Sequence, residues 1–398
     1  MAEIQTAVVL SAARTPIGRF GGGLADVPLE DLGALVVRAA ADRAGIDPAQ
    51  ISSAVFGNVL RTKANDSYIA RLCAIKGGMA KESSAVTVNR LCGSGVEAIV
   101  NAAQQIQLGE VDLALAGGVE SMSRSTFSSA VPRFGARMGA VTLDDDMLAT
   151  LHDPFGAGHM GITAENVAER FQIDRAAQDA FAEESHRRAI NAIDQGYFKS
   201  QIVPVPITSR KGTVHVDTDE HPRRDVSAEG LAALKPAFKR DGGTVTAGNA
   251  SGINDGAAAL VLASEAWAMA NGRKPIARVV SYARAGVDPS VMGTGPIPAV
   301  RKALERARLG IDDMDVIESN EAFAAQACAV AKELGFPADR TNPNGGAIAL
   351  GHPVGATGAI IATKCLYELE RTGGRFGLVT LCIGGGQGIA VVFERVTD

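Results

Sequence analysis

Two cysteines, a histidine and an asparagine stand where side chains of this chain could do covalent chemistry. The first cysteine lies in Thr87-Val88-Asn89-Arg90-Leu91-Cys92-Gly93-Ser94-Gly95. Before it, Ser84-Ala85-Val86-Thr87-Val88 is short, β-branched and apolar, and predicts a buried strand. After it, apolar residues at 96, 99, 100, 103 and 106 keep helical spacing. Cys92 is therefore expected on a tight strand-to-helix turn. A free thiol with a pKa of about 8.5 is only a few per cent ionised at neutral pH, and a helix N-terminus lowers it by roughly one unit. As a nucleophile Cys92 would need a base close in space. Taken alone, it reads equally well as a small buried thiol at a packed turn.

The base is sought in the second glycine-rich turn, at 344–358, where Gly351-His352-Pro353 precedes a helix. A histidine between glycine and proline on an irregular turn is poorly placed for core packing and well placed to face a cleft. Asn320 ends an expected strand, where by itself it would serve as a turn or helix-capping residue. Cys382 precedes Gly384, whose backbone N–H would be unhindered. Together the four supply a thiol that can form a thioester, an imidazole to take its proton, amide and imidazole donors for a developing enolate, and a second thiol.

The elements that must position these groups occur twice. In the first half a helix from Leu29 to Ala44 stops at Gly45, and Val55-Phe56-Gly57-Asn58 follows as a strand. The Cys92 unit comes next, and then a strand at 112–116 that closes on Gly117-Gly118. In the second half a helix from Pro296 to Leu309 stops at Gly310, and Val316-Ile317-Glu318-Ser319-Asn320 follows. A helix at 322–334, the turn at 344–358, a helix from about Ala359 and a strand at 376–381 complete it. From Asn58 to Cys92 is 34 residues and from Asn320 to His352 is 32, so the order keeps step and predicts a duplicated α/β unit. In such sheets ligands bind at the C-terminal strand ends, where both glycine-rich turns fall. Residues 121–250 break the alternation with a long helix after Asp174 and several basic pairs, and read as an insertion.

Composition narrows the class. With 46% hydrophobic and 21% charged residues over 398 positions, the chain is an ordinary globular protein of more than one domain. A net charge of −5 argues against nucleic-acid binding. No apolar run is long enough for a membrane span, and the N-terminus resembles no secretory signal, so a cytoplasmic protein is expected. The cysteines at 73, 92, 328, 365 and 382 show neither disulfide nor zinc spacing, and 73, 328 and 365 read as core residues.

Five blocks then carry a resemblance: Asn89-Arg90-Leu91-Cys92-Gly93-Ser94-Gly95, Asn249-Ala250-Ser251-Gly252-Ile253-Asn254-Asp255-Gly256, Asn320-Glu321-Ala322-Phe323, Gly351-His352-Pro353-Val354-Gly355-Ala356-Thr357-Gly358 and Cys382-Ile383-Gly384-Gly385-Gly386-Gln387-Gly388. In order, and over essentially the whole chain, they resemble the thiolases. The resemblance implies the thiolase fold, an α/β fold of two duplicated halves with an inserted loop domain. The halves would be 1–120 with 251–272, and 273–398, and the inserted coenzyme A-binding loop domain 121–250. It further implies ping-pong acyl transfer through Cys92, with His352 as base and Cys382 moving the proton at the substrate α-carbon. One oxyanion hole would be formed by Asn320 and His352 through a water, the other by the backbone N–H groups of Cys92 and Gly384. His159 and Met160 would contact substrate, Ser251 the pantetheine, Arg223 the nucleotide phosphates, and Phe238 and Met292 the acyl group. By themselves His159 could cap a helix, Ser251 hold a turn, and Phe238 and Met292 be core. Coenzyme A would be substrate and product, with no tightly bound cofactor and no metal, and acyl-CoA and free CoA the partners of a homotetramer or homodimer. A ketoacyl synthase-like enzyme would typically lack the second cysteine and the long insertion. A non-catalytic acyl-CoA-binding relative would be expected to lack one of the thiols.

Overall fold

The computed structural model describes residues 4–397. Its main strands are β1 (Ala7–Arg14), β2 (Ser53–Gly57), β3 (Ser84–Val88), β4 (Leu113–Ser121), β5 (Asn254–Ser264), β6 (Ala277–Gly286), β7 (Val316–Ser319), β8 (Phe376–Ile383) and β9 (Gln387–Arg395). With the short strand Gly18–Arg19 beside β5 they form one ten-stranded sheet in the order β7-β8-β9-β6-β1-β5-β4-β2-β3. The order mirrors itself about the β1–β6 junction. Outward from it run β1, β5, β4, β2 on one side and β6, β9, β8, β7 on the other. Parallel pairing joins β2 to β4 and β7 to β8, and antiparallel pairing joins β4 to β5 and β8 to β9. The chain thus traces one path twice.

The principal helices are α1 (Leu29–Ala44), α2 (Ile69–Lys76), α3 (Ser94–Gln107), α4 (Met160–Phe171), α5 (Arg175–Asp194), α6 (Pro296–Ala307), α7 (Ala324–Leu334) and α8 (Val354–Thr372). On one face of the sheet, α3 and α8 share a core with strands of both halves, through Val96, Ile99, Ile106, Ala359, Ile360 and Leu366. Alternate strand residues point the other way: Leu10, Phe56 and Leu115 pack under α1 and α2, and Ile317, Leu378 and Val392 under α6. Helices on both faces explain why β1 and β5 are buried at every residue. Residues 122–253, which include α4 and α5, leave the sheet after β4 and return at β5, its neighbour. No helix among the described residues is long and apolar enough to cross a membrane.

Three sequence expectations are corrected. The strand Ser84–Val88 is not buried; it is the sheet's edge, paired on one side only, and Val86 is 46% exposed. The glycine-rich turn ends sooner than expected, because α8 starts at Val354 and takes Gly355 and Gly358 into its first turns. The strand expected to close on Gly117-Gly118 runs through them to Ser121. All these glycines serve close approach. A Cβ on Gly117 would lie 2.9 Å from the Phe56 ring, and one on Gly118 would lie 2.5 Å from the Gly355 oxygen.

The tightest crossing joins α3 to α8. A Cβ on Gly95 would sit 2.3 Å from the Ala359 nitrogen, and one on Gly358 would sit 2.4 Å from the Val96 nitrogen. Backbone meets backbone there, and neither helix can yield without repacking the core. Gly95→Ala is expected to destabilise the fold by about 1–3 kcal/mol, the usual cost of overpacking. Denaturant unfolding measures this directly, and an unchanged midpoint would show that the two helices do not touch at this point.

Candidate active site

Cys92 stands one residue before the N-cap Gly93 of α3, on a turn its neighbours hold rigidly. Asn89 Oδ1 accepts the Leu91 N–H at 2.9 Å. Ser94 Oγ accepts the Arg90 N–H at 2.8 Å and donates to the Leu91 carbonyl at 2.6 Å. Leu91 is thereby kept at φ 46°, a left-handed conformation costly for a branched side chain. The thiol borders a cavity yet is surrounded by protein atoms, and burial pushes its pKa up to about 11. Hydrogen bonds from the backbone N–H groups of Gly384 and of Cys92 itself work the other way, and the nearby Glu120 charge adds to the rise.

His352 occupies the matching place before α8. Its Nδ1 lies 2.7 Å from Thr357 Oγ1, and that hydroxyl is 2.9 Å from the Pro353 carbonyl. A hydroxyl has one proton to give. Both bonds form when Thr357 donates to Pro353 and accepts from His352 Nδ1–H. The lone pair is then on Nε2, which lies 3.4 Å from Asn320 Nδ2. Burial pushes the imidazole down to about 4, so at neutral pH it is an uncharged base. Asn254 Oδ1 fixes the turn from the other half by accepting the His352 N–H at 2.9 Å.

Asn320 follows β7 and is buried, and its Oδ1 has no hydrogen-bond partner among the described residues. Cys382, at the end of β8, is wholly buried in a cluster with Met160, Met292, Ala322 and Phe323. Burial raises its pKa, and the charge of an ionised Cys92 would raise it further, so the two sulfurs are close enough to oppose each other's ionisation.

Cys92 and His352 line a cavity of about 260 Å³, while the buried Asn320 and Cys382 are not part of its lining. Cys92, His352, Gly384, His159, Met160, Ser251, Phe238 and Met292 all line it. His159 fills both roles open to it: Nδ1 caps α4 by accepting the Gly161 N–H at 3.0 Å, while the ring stacks 4.6 Å from Phe238 at the cavity wall. Ser251 is tied by its N–H to the Ala322 carbonyl. Arg223 does not reach this cavity. It lies in a separate surface cleft with Arg187, Arg224 and His186, and is ion-paired with Asp225 at 3.1 Å. No group of three or more His, Cys, Asp or Glu side chains placed to hold a metal is found among the described residues.

Residues 7–266 match the family described as thiolase, N-terminal domain, and residues 273–395 match thiolase, C-terminal domain. The chain belongs to the thiolase family. It is 57% identical over 389 residues to the beta-ketothiolase BktB of Cupriavidus necator, covering 98% of this chain and 99% of that one. It is 51% identical over 394 residues to an acetyl-CoA acetyltransferase of Syntrophomonas wolfei, with 98% and 99% covered. Among solved structures it superposes on the acetyl-CoA acetyltransferase of Bacillus anthracis with a TM-score of 0.97 at 44% identity, covering all of both chains. On human mitochondrial 3-ketoacyl-CoA thiolase in complex with CoA the TM-score is 0.95 at 42% identity, again over the full length of both.

Reading the sequence missed three residues that shape this thiolase site. Thr357 and Asn254 lie inside recognised blocks, but only coordinates reveal that one fixes the tautomer of His352 and the other its main chain. Glu120 carried no signal beyond being an acid at the end of a glycine-containing strand.

With the thiol near 11 and the imidazole near 4, the resting proton belongs to sulfur. The rate of Cys92 alkylation by iodoacetamide is therefore expected to climb about tenfold per pH unit from pH 7 through 9 without levelling, since the thiolate fraction grows in that proportion. A plateau already reached at neutral pH would instead reveal a standing thiolate–imidazolium pair.

Proposed function

We infer that this thiolase is an acyltransferase that condenses acyl-CoA with acetyl-CoA to a 3-ketoacyl-CoA, or cleaves that product with coenzyme A, in two half-reactions. In the first, Cys92 attacks the thioester carbonyl as His352 Nε2 takes its proton. The carbonyl oxygen becomes an oxyanion facing the N–H groups of Cys92 and Gly384. The carbon–sulfur bond to coenzyme A breaks, the leaving sulfur receives the proton, and an acyl group remains on Cys92. In the second, Cys382 gives its proton to His352 Nε2 and, as a thiolate, removes a proton from the α-carbon of acetyl-CoA. The enolate oxygen is held by the Nε2–H of the now protonated His352 and by a water that Asn320, through its unpartnered Oδ1, would order. The enolate carbon attacks the acyl carbonyl, forming the carbon–carbon bond and expelling the Cys92 sulfur, which takes the proton from His352. Cleavage is the reverse.

One observation supports this reading above the rest: a thiol, a neutral imidazole with its free nitrogen turned toward Asn320, and two backbone N–H groups meet around one cavity, with a second, buried thiol near enough to feel the charge of the first. It also suggests why the steps keep their order. An acylated Cys92 cannot ionise, so the charge that would oppose ionisation of Cys382 is absent when Cys382 must act.

The cavity is too small for a whole coenzyme A. His159, Met160, Ser251, Phe238 and Met292 would meet the acyl group and pantetheine, while the arginine-bearing cleft at Arg223 would serve the phosphates. Coenzyme A is thus substrate and product, and we propose residues 121–250 as its loop domain, set between halves at 1–120 with 251–272 and 273–398. All five cysteines are free thiols, which suits a reducing cytoplasm. Exposed Phe127, Phe134, Met138 and Leu143 on one excursion after β4 support assembly as a homotetramer. Light scattering should then give four chains per particle, and a single chain would refute the assembly.

Intact-mass measurement after acetyl-CoA separates the roles of the two thiols. Cys92→Ala is expected to gain no acetyl group. Cys382→Ala should be acetylated yet make and cleave no 3-ketoacyl-CoA, with at least about a hundredfold loss, the scale on which acid–base groups act. A label persisting on Cys92→Ala would reassign the nucleophile.

A further inference from the structure

The duplicated fold implies that each catalytic position has a counterpart in the other half. Across the parallel pairs, Gly57 lies opposite Gly118 and Ser319 lies opposite Thr380. The residue after Gly57 is Asn58, and the residue after Ser319 is Asn320. Two residues beyond Gly118 stands Glu120, and two beyond Thr380 stands Cys382. Asn58 and Glu120 thus occupy in the first half the register positions that Asn320 and Cys382 occupy in the second. Cys92 and His352 are the corresponding pair before the two central helices.

Neither pair is part of the cavity lining, and the first-half pair is bound up with the main chain. Its side chains turn to each other and to the start of α8. The fully buried Glu120 carboxylate accepts four N–H groups: Gly355 at 2.7 Å, Leu60 and Asn58 Nδ2 at 3.0 Å, and Val59 at 3.1 Å. Asn58 Nδ2 also reaches the Val119 carbonyl at 2.9 Å. Gly355 N–H is a first-turn donor of α8 with no partner inside the helix, and it lies three residues after His352. The fit leaves no slack, since a Cβ on Gly355 would fall 2.7 Å from Glu120 Oε2 and 2.8 Å from Asn58 Cα. Val59 and Leu60, whose N–H groups Glu120 binds, pack in one cluster with Cys92 and Val354. A single carboxylate therefore joins the wall behind Cys92 to the turn that carries His352. Burial pushes Glu120 up to about 8, while four N–H partners and the positive end of α8 favour the anion.

We propose that Glu120, oriented by Asn58, is a positioning residue for His352: it holds the first turn of α8 so that the imidazole faces Cys92. The assignment rests on the base role of His352 proposed above. Glu120→Gln keeps the shape but offers an NH2 group to N–H donors, so the turn loses part of its anchor. Single-turnover acylation by acetyl-CoA, followed by intact mass, should slow about 10- to 100-fold, the range produced by small misplacements of a catalytic group, while KM changes less than about twofold. The deciding measurement is a double-mutant cycle. In a His352→Ala background, Glu120→Gln should slow the residual acylation by less than about twofold, because no imidazole is left to misplace. Asn58→Ala, which removes the Nδ2 donor that orients the carboxylate, should repeat both results and stands in if Glu120→Gln does not fold. A parental rate in Glu120→Gln, or equal losses with and without His352, overturns the positioning role while leaving the base role intact. If His352→Ala itself acylates at the parental rate, the base role falls and this assignment falls with it.

Discussion

Everything at the site depends on two helices whose backbones touch. Gly95 and Gly358 allow α3 and α8 to cross with no side chain between them, and each helix begins beside a reacting group. Cys92 and His352 are 260 positions apart in the chain but only a few residues from this crossing. A methyl group in the contact would part the helices and, with them, the thiol from the imidazole proposed as its base. The sheet serves the same end, since strands of both halves press on this pair of helices and hold it fixed.

A dry site sets the electrostatics. Burial moves Cys92 and Cys382 upward and His352 downward, so the three groups proposed to react all rest uncharged. In the proposed reaction, charge then appears only transiently, where fixed donors wait for it: the N–H groups around Cys92 and the Asn320 amide. Such donors need no reorganisation, and in a buried cavity they act through a lower dielectric than water provides. Thr357 completes the arrangement by keeping the proton of His352 on Nδ1. It thereby decides which nitrogen keeps the free lone pair.

Buried polar clamps tie the long excursion between β4 and β5 to this centre. Arg14 and Asp219 form an ion pair at 2.7 Å with both side chains fully buried, and Asp219 also accepts the Ile17 N–H. Two residues on, His221 lies against Gly252 and approaches Asn254, whose Oδ1 holds the His352 turn. From the other side Glu321 accepts Ser185 Oγ of α5, Asn342 Nδ2 and the Ile348 N–H. Removing one partner of such a cluster strands a charge or a donor away from water, which costs far more than the intact bond contributes. The clamps thereby select one placement of the excursion over the reacting groups.

Local pattern settled a good part of this molecule. α1 runs over the span its periodicity and Gly45 predict, α5 takes Asp174 as its N-cap, and the Cys92 turn opens a helix as read. The repeated order of elements foretold the mirrored sheet, because an α/β unit of given length and pattern has few ways to pack. What sequence could not fix were properties that depend on a partner distant in the chain. The edge position of Ser84–Val88 follows from its pairing with β2 alone, and the glycines taken into α8 and the link of Glu120 to Gly355 involve contacts across the duplicated halves. Residue type determined which groups could react. Only the tertiary fold decided their protonation, because pKa and tautomer follow from burial and hydrogen-bond partners that no local stretch of sequence encodes.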